Sequence, residues 1–297
     1  MEAVQNLSTW ALTIGKAKAY YELLKPRLSM LVAFSCAFGY GLASKGSIDW
    51  MVLSMLVVGA FLLSGASVCI NQIIERDLDK IMTRTQSRPI PTGRISVNEA
   101  SLFSVVCLVL SIAILWVFTN PLTVVLSLVS MVLYSFIYTP LKRVGPIAVF
   151  VGAIPGALPP LLGWIAMTGG ITYEAMIIFG IQFIWQFPHF WAIAWVADDD
   201  YKKAGFKLLP SGGGKDINTA IQIMVYTMFL IPLGLLPAKF GITGLDSAIV
   251  ASVCGVAFFA QTFSLMKTGS QKSAKRIMFG SFLYLPIVQI AYLLDKI

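Results

Sequence analysis

The chain has 297 residues, 57% of them hydrophobic and only 12% charged, with a formal net charge of +8. Soluble domains carry about 25% charged residues, so this composition excludes an ordinary water-soluble enzyme and predicts a polytopic membrane protein. Segments of alternating polarity are absent, which argues against a barrel; the excess positive charge reads as bilayer orientation and contact with anionic membrane lipid, with nucleic acid excluded as a partner.

Residues 1–27 contain neither a cleavable signal peptide nor an Arg-rich transit peptide, since Glu2 and Glu22 are present and the first apolar run comes late. Nine apolar stretches follow, at about 28–45, 50–70, 100–117, 121–138, 147–167, 173–195, 217–236, 245–265 and 277–293, each near the length a membrane helix needs. Four Lys and Arg precede the first stretch, and five, two, four and four follow the second, fourth, sixth and eighth. These are 19 of the 22; Lys45, Lys239 and Lys296 fall on the other side. The asymmetry predicts a cytoplasmic amino terminus, with a bacterial inner membrane as the simplest location. The expected architecture is all-α, a single transmembrane domain over residues 1–297 in which 1–27 form a cytoplasmic segment. Cys36, Cys69, Cys107 and Cys254 are scattered over different spans and are expected to be inert buried thiols.

Directly after the second stretch, Asn71, Glu75 and Asp79 recur every four residues and would share one face of a helix. Carboxylates at a membrane boundary are expensive if buried and unpaired, so a functional role is the first hypothesis. An amide with two carboxylates is a poor zinc site and a good magnesium site, because magnesium is held by one or two carboxylates plus substrate phosphates. Asp77 points elsewhere on such a helix but belongs to the same cluster. Arg84, Arg88 and Arg94 follow it, Lys142 and Arg143 close the fourth stretch, and Lys25-Pro26-Arg27 open the first. The fifth stretch holds four Pro and four Gly between Gly145 and Gly163. That suits broken backbone lining a cavity and equally a kinked helix packed through small residues. After the sixth stretch, Asp198-Asp199-Asp200-Tyr201-Lys202-Lys203 puts a second acidic cluster on the same face, so six of the fourteen acids gather there. Acid and base mixed at one site are what a magnesium–diphosphate complex requires, the carboxylates for the metal and the cations for phosphate oxygens. A Walker-type loop is missing, which leaves nucleotide hydrolysis without support.

The first motif, Asn71-x-x-x-Glu75-x-x-x-Asp79 continuing into Met82-x-Arg84-Thr85 and Arg88-Pro89, resembles that of the intramembrane prenyltransferases of the UbiA superfamily, and within it the haem-modifying branch. Tyr138-Thr139-Pro140-Leu141-Lys142-Arg143, the Gly-Ala-x-Pro-Gly-Ala-x-Pro-Pro run ending at Pro160, Trp185-Gln186-Phe187-Pro188-His189-Phe190 and Asp200-Tyr201-x-x-Ala204-Gly205 agree with it, over roughly residues 22–297. Two departures stand out. Glu75 occupies a position where the wider superfamily has Asp, and Asp198 is followed four residues later by Lys202 where that superfamily has a second Asp.

The resemblance implies nine helices around a central cavity and transfer of farnesyl from farnesyl diphosphate to a vinyl group of haem b, with water adding and diphosphate leaving, to give haem O. It implies catalytic roles for Asn71, Glu75, Asp79 and Asp200. Mg2+ is expected on Asn71, Glu75, Asp77 and Asp79 and on Asp198, Asp199 and Asp200, and diphosphate on Arg27, Arg84, Arg88, Lys142, Arg143, Lys202 and Lys203. His189, the only histidine, is expected to position haem b among Trp185, Phe187, Phe190 and Trp191, since imidazole is a common haem ligand; its rival reading is a hydrogen-bonded structural residue. A haem A synthase or a terminal oxidase is the implied downstream partner. Two other functions compete. Prenylation of a quinone precursor or another aromatic acceptor would use the same metal site. A transporter would use intramembrane acids as an ion path, which the boundary position of these acids opposes.

Overall fold

The computed structural model describes residues 14–212 and 214–297. Nine long helices coincide with the nine apolar stretches: α1 Pro26–Ala43, α2 Trp50–Ile74, α3 Val97–Phe118, α4 Pro121–Val132, α5 Ile147–Thr168, α6 Tyr173–Val196, α7 Ile217–Leu233, α8 Leu245–Thr268 and α9 Gln271–Leu294. Eight give spans long and apolar enough to cross a membrane, α4 and α7 only with their continuations to Leu141 and Lys239; α1, which opens with Pro26-Arg27 and carries Ser and Gly residues, falls short of that hydropathy. A further helix over residues 14–23 precedes α1. Polar caps start several helices: Asp49 accepts the Met51 and Val52 amides ahead of α2, Ser96 and Glu99 form a reciprocal box ahead of α3, and Asn120 precedes Pro121 of α4. Consecutive helices are neighbours, and α9 packs on both α6 and α1, closing the bundle.

Two local distortions shape the interior. At the end of α4 the chain widens into a π-helical turn, Leu133–Tyr138, before Thr139–Leu141. Pro140 has no amide to donate to the turn before it, and beside it the Thr139 hydroxyl donates to the Tyr134 carbonyl at 2.9 Å. In α5, Pro155, Pro159 and Pro160 lie inside the helix. The missing amide of Pro160 frees the Gly156 carbonyl four residues earlier, which accepts a bond from Gln182 Nε2 of α6 at 2.8 Å.

The glycines of α5 decide between the two readings of that segment. A Cβ on Gly163 would overlap the Cys36 carbonyl of α1, and one on Gly39 of α1 would overlap the Pro160 carbonyl. Small residues thus let α1 and α5 touch backbone to backbone. Neither of the two cavities described below is lined by α5; its prolines and glycines serve packing.

Candidate active site

Glu75 is where α2 stops. Its backbone (φ −89°, ψ 5°) is not helical, and a new short helix, Arg76–Ile81, begins at once. The hydrogen-bond ladder survives the break, with the Glu75 amide on the Asn71 carbonyl at 2.9 Å and the Asp79 amide on the Glu75 carbonyl at 2.7 Å. Asn71, Glu75 and Asp79 therefore stay on one face, and all three are buried. They line a polar cavity of about 130 Å³ together with Lys25, Met82, Arg84, Arg88, Tyr134, Lys142, Tyr201 and Phe206.

Each carboxylate has a cation. Arg88 Nη1 donates to Asp79 Oδ2 at 2.6 Å, and Lys142 Nζ donates to Glu75 Oε1 at 2.8 Å. Lys142 also lies 4.8 Å from the centre of the Tyr138 ring and 5.6 Å from that of Phe206. Burial opposes its charge, yet the Glu75 carboxylate helps to outweigh that and raises its pKa above the ordinary lysine value. Asn71 Nδ2 donates to Thr139 Oγ1 at 3.0 Å, which leaves the amide oxygen available to the cavity. Asp79 Oδ1 is buried with no hydrogen-bond partner. An orphaned carboxylate oxygen is costly, and beside a second carboxylate and an amide oxygen it forms the kind of oxygen set that suits Mg2+. Four basic side chains face two acids here, so the cavity is built to receive an anion.

Lys25 was visible in the sequence as a base ahead of Pro26 but was not among the expected site residues. Its φ of +44° is the only positive value at a non-glycine among the described residues. Pro26 disfavours the right-handed helical region for the residue before it, and the left-handed one that Lys25 adopts is a strained conformation of the kind found at functional sites. Burial, then repulsion by Arg88 and Lys142, pushes its pKa down to about 7, with Glu75 and Asp79 opposing. Tyr134, Tyr201 and Phe206 also join the wall unforeseen.

The second acidic cluster is not brought into this cavity. Asp200 accepts the backbone amides of Thr83 at 3.1 Å and Arg84 at 2.9 Å, and the Lys203 ammonium at 2.9 Å; Lys203 also donates to Thr83 Oγ1 at 3.0 Å. Asp200 therefore fastens the loop that carries Arg84 and Arg88. The Lys203 ammonium, then the Arg84 amide, hold its carboxyl well below the usual carboxylate range. Asp198 pairs with Lys202 at 2.8 Å and Lys215 at 3.4 Å, and Asp199 is exposed. Asp77 is likewise turned outward, 70% exposed and paired with Lys80 at 3.3 Å. Among the described residues no three of His, Cys, Asp and Glu converge on one metal position, Glu75 and Asp79 included, and Asp77, Asp198, Asp199 and Asp200 do not line the polar cavity. Arg27, Lys202 and Lys203 also lie off the cavity, while Arg143 lines a neighbouring one.

His189 is hydrogen-bonded and stacked within the bundle. Its Nδ1 is 2.9 Å from Ser281 Oγ of α9, its ring stacks on Trp185 at 4.3 Å, and Phe190 and Phe282 flank it. It lines neither the polar cavity nor the neighbouring one.

The neighbouring cavity is larger, about 560 Å³, and is lined by Ile74, Glu75, Leu78, Thr139, Pro140, Arg143, Val144, Gly205 and Lys207. Glu75 is the one residue common to both walls.

Comparison with known proteins places this geometry. The UbiA prenyltransferase family matches residues 32–285. A protoheme IX farnesyltransferase of Cytophaga hutchinsonii is 55% identical over 94% of this chain and 98% of its own length, and one of Christiangramia forsetii is 44% identical over 93% of each. Among solved structures, a digeranylgeranylglyceryl phosphate synthase superposes with a TM-score of 0.78 at 22% identity, covering 94% of this chain and 98% of the other. A UbiA homolog from Archaeoglobus fulgidus bound to GPP and Mg2+ superposes with a TM-score of 0.65 at 18% identity, covering 92% and 99%.

Proposed function

The chain belongs to the UbiA prenyltransferase family, and from that premise we infer that it transfers the farnesyl group of farnesyl diphosphate to a vinyl group of haem b, giving haem O. The reading draws its acceptor from relatives that carry the name protoheme IX farnesyltransferase over nearly their whole length. Its chemistry rests on one observation, the buried Asn71–Glu75–Asp79 face set against Lys25, Arg84, Arg88 and Lys142 in a single polar cavity.

In the balanced reaction the bond between C1 and oxygen of the donor breaks and diphosphate leaves with the electron pair. The terminal vinyl carbon of the acceptor bonds to C1, and the adjacent carbon takes hydroxide from water, releasing a proton. Asn71, Glu75 and Asp79 would hold Mg2+, whose bound charge offsets the negative charge growing on the departing diphosphate. Arg88 and Lys142, already inside the cavity on carboxylate partners, are positioned to exchange those partners for phosphate oxygens. Arg84 lies over the Tyr201 ring, 5.7 Å from its centre, and extends the basic wall. Burial of Glu75, Asp79 and Lys142 makes their electrostatic effect stronger than it would be in water. The reading places the basic face on the cytoplasmic side of a bacterial inner membrane and hands haem O to a haem A synthase or a terminal oxidase.

Glu75→Gln and Asp79→Asn test the reading, since each removes metal-binding charge at almost constant volume. Product gaining one farnesyl and one water, followed by mass spectrometry, should fall by at least about a hundredfold in both, with helical content unchanged. Near-normal turnover of both variants at limiting magnesium would overturn it.

A further inference from the structure

The larger cavity combines features that the polar one lacks. Ile74, Leu78 and Val144 give it an apolar wall, and Arg143 and Lys207 are both exposed at its rim. The Lys207 amide donates to the Lys142 carbonyl at 2.8 Å, which fixes Lys207 beside the Lys142–Arg143 turn. Among the described residues neither Arg143 nor Lys207 has a carboxylate within 4.0 Å, in contrast to Lys142, Lys202, Lys203 and Lys215, which all do. An apolar concavity with two uncompensated cations at its edge selects an amphiphile that ends in two anionic groups. Its inner wall is Glu75, the residue that also bounds the polar cavity.

We propose that this cavity docks the prenyl acceptor as a planar apolar macrocycle bearing two carboxylates, its face against Ile74, Leu78 and Val144, its carboxylates on Arg143 and Lys207, and its reacting edge toward Glu75. The proposal rests on the haem-farnesylating reading above and adds which surface receives the acceptor and which side chains recognise its charged end. Glu75, shared by the two cavities and paired with Lys142, would stand between the two ligands.

The test uses the full chain in lipid nanodiscs, with haem b and its dimethyl ester, in which both carboxylates are blocked. Arg143→Gln and Lys207→Gln should each weaken haem b, read by Soret titration and by KM, on the order of three- to tenfold. The same variants should leave the ester and the KM for farnesyl diphosphate unchanged, the latter also showing that the fold is intact. Wild-type protein should bind the ester about as weakly as the double variant binds haem b. Equal losses for haem b and ester, or no loss, would overturn the proposal. An effect seen with phosphatidylglycerol and absent in pure phosphatidylcholine would assign the cavity to a lipid headgroup and overturn it as well. If wild-type protein makes no haem O at all, the functional reading fails; if it does while both variants behave as wild type, only the docking site fails.

Discussion

Lys25 couples donor binding to pH. With burial pushing its pKa down to about 7, its ammonium is mostly formed at pH 6 and about nine-tenths lost at pH 8. A bound diphosphate would raise that pKa again, because an anion beside the amine favours the charged form. Binding above pH 7 therefore takes up a proton. The sign follows from linkage: affinity owed to Lys25 is fully present below its free-cavity pKa and declines as pH rises through it. Between pH 6 and pH 8 the protonated fraction falls about tenfold, so the donor dissociation constant should rise by up to about that factor. The other charged groups on this wall, Glu75, Asp79, Arg84, Arg88 and Lys142, are common to wild type and variant. Lys25→Met should thus bind more weakly at pH 6 and show a flatter profile, the difference between the two proteins cancelling titration of the diphosphate itself. Calorimetry of a farnesyl thiodiphosphate analogue with Mg2+, in two buffers of different ionisation enthalpy, counts the proton directly. Identical pH profiles and proton counts for both proteins would refute the reasoning.

Asp200→Ala should loosen the loop that Asp200 fastens, raising amide exchange at Thr83 and Arg84 and the donor KM while leaving the magnesium requirement as it was; a raised magnesium requirement would make Asp200 a metal ligand after all. His189→Ala and Ser281→Ala should each cost about 0.5–1.5 kcal/mol of stability, and the double variant little more, with haem affinity unchanged; loss of the haem spectrum in His189→Ala alone would restore the haem contact. Gly163→Ala should force α1 and α5 apart and lower the thermal midpoint sharply in detergent, since its Cβ overlaps the Cys36 carbonyl; unchanged melting would show that the two helices can separate without loss.

Helix positions were legible because membrane spans are read from hydropathy, with eight of the nine stretches passing that measure and α1 falling short; the 71/75/79 stripe was legible because a four-residue repeat survives the break at Glu75. The partnership of the two acidic clusters was not legible. Asp198, Asp199 and Asp200 are adjacent in sequence, yet the short helix Asp198–Lys203 turns them in different directions, one onto Lys202, one to solvent and one onto the Thr83 and Arg84 amides. Spacing does not say whether a carboxylate will meet a metal or a backbone amide. Lys25 was legible as a base but not as a site residue, because its place in the cavity depends on a left-handed backbone that only coordinates reveal. Tyr134 reaches the cavity from within the π-helical turn, which changes the facing that regular helix periodicity would assign.

The freed carbonyl of Gly156 bears on how the chain is assembled in the bilayer. It is satisfied by Gln182 of α6, whose own oxygen accepts Gln289 of α9 at 2.9 Å, and Gln289 in turn meets Ser35 of α1 at 3.4 Å. The first helix and the last thus complete one polar seam that crosses α5 and α6. Until α9 is made, the Gln182 oxygen and the Ser35 hydroxyl lack the Gln289 amide that meets them, and in lipid an unmet polar group costs several kcal/mol. The amino-terminal half cannot settle before the carboxy-terminal helix arrives, and chains truncated ahead of α9 should be cleared by membrane quality-control proteases although all of their first eight helices are present.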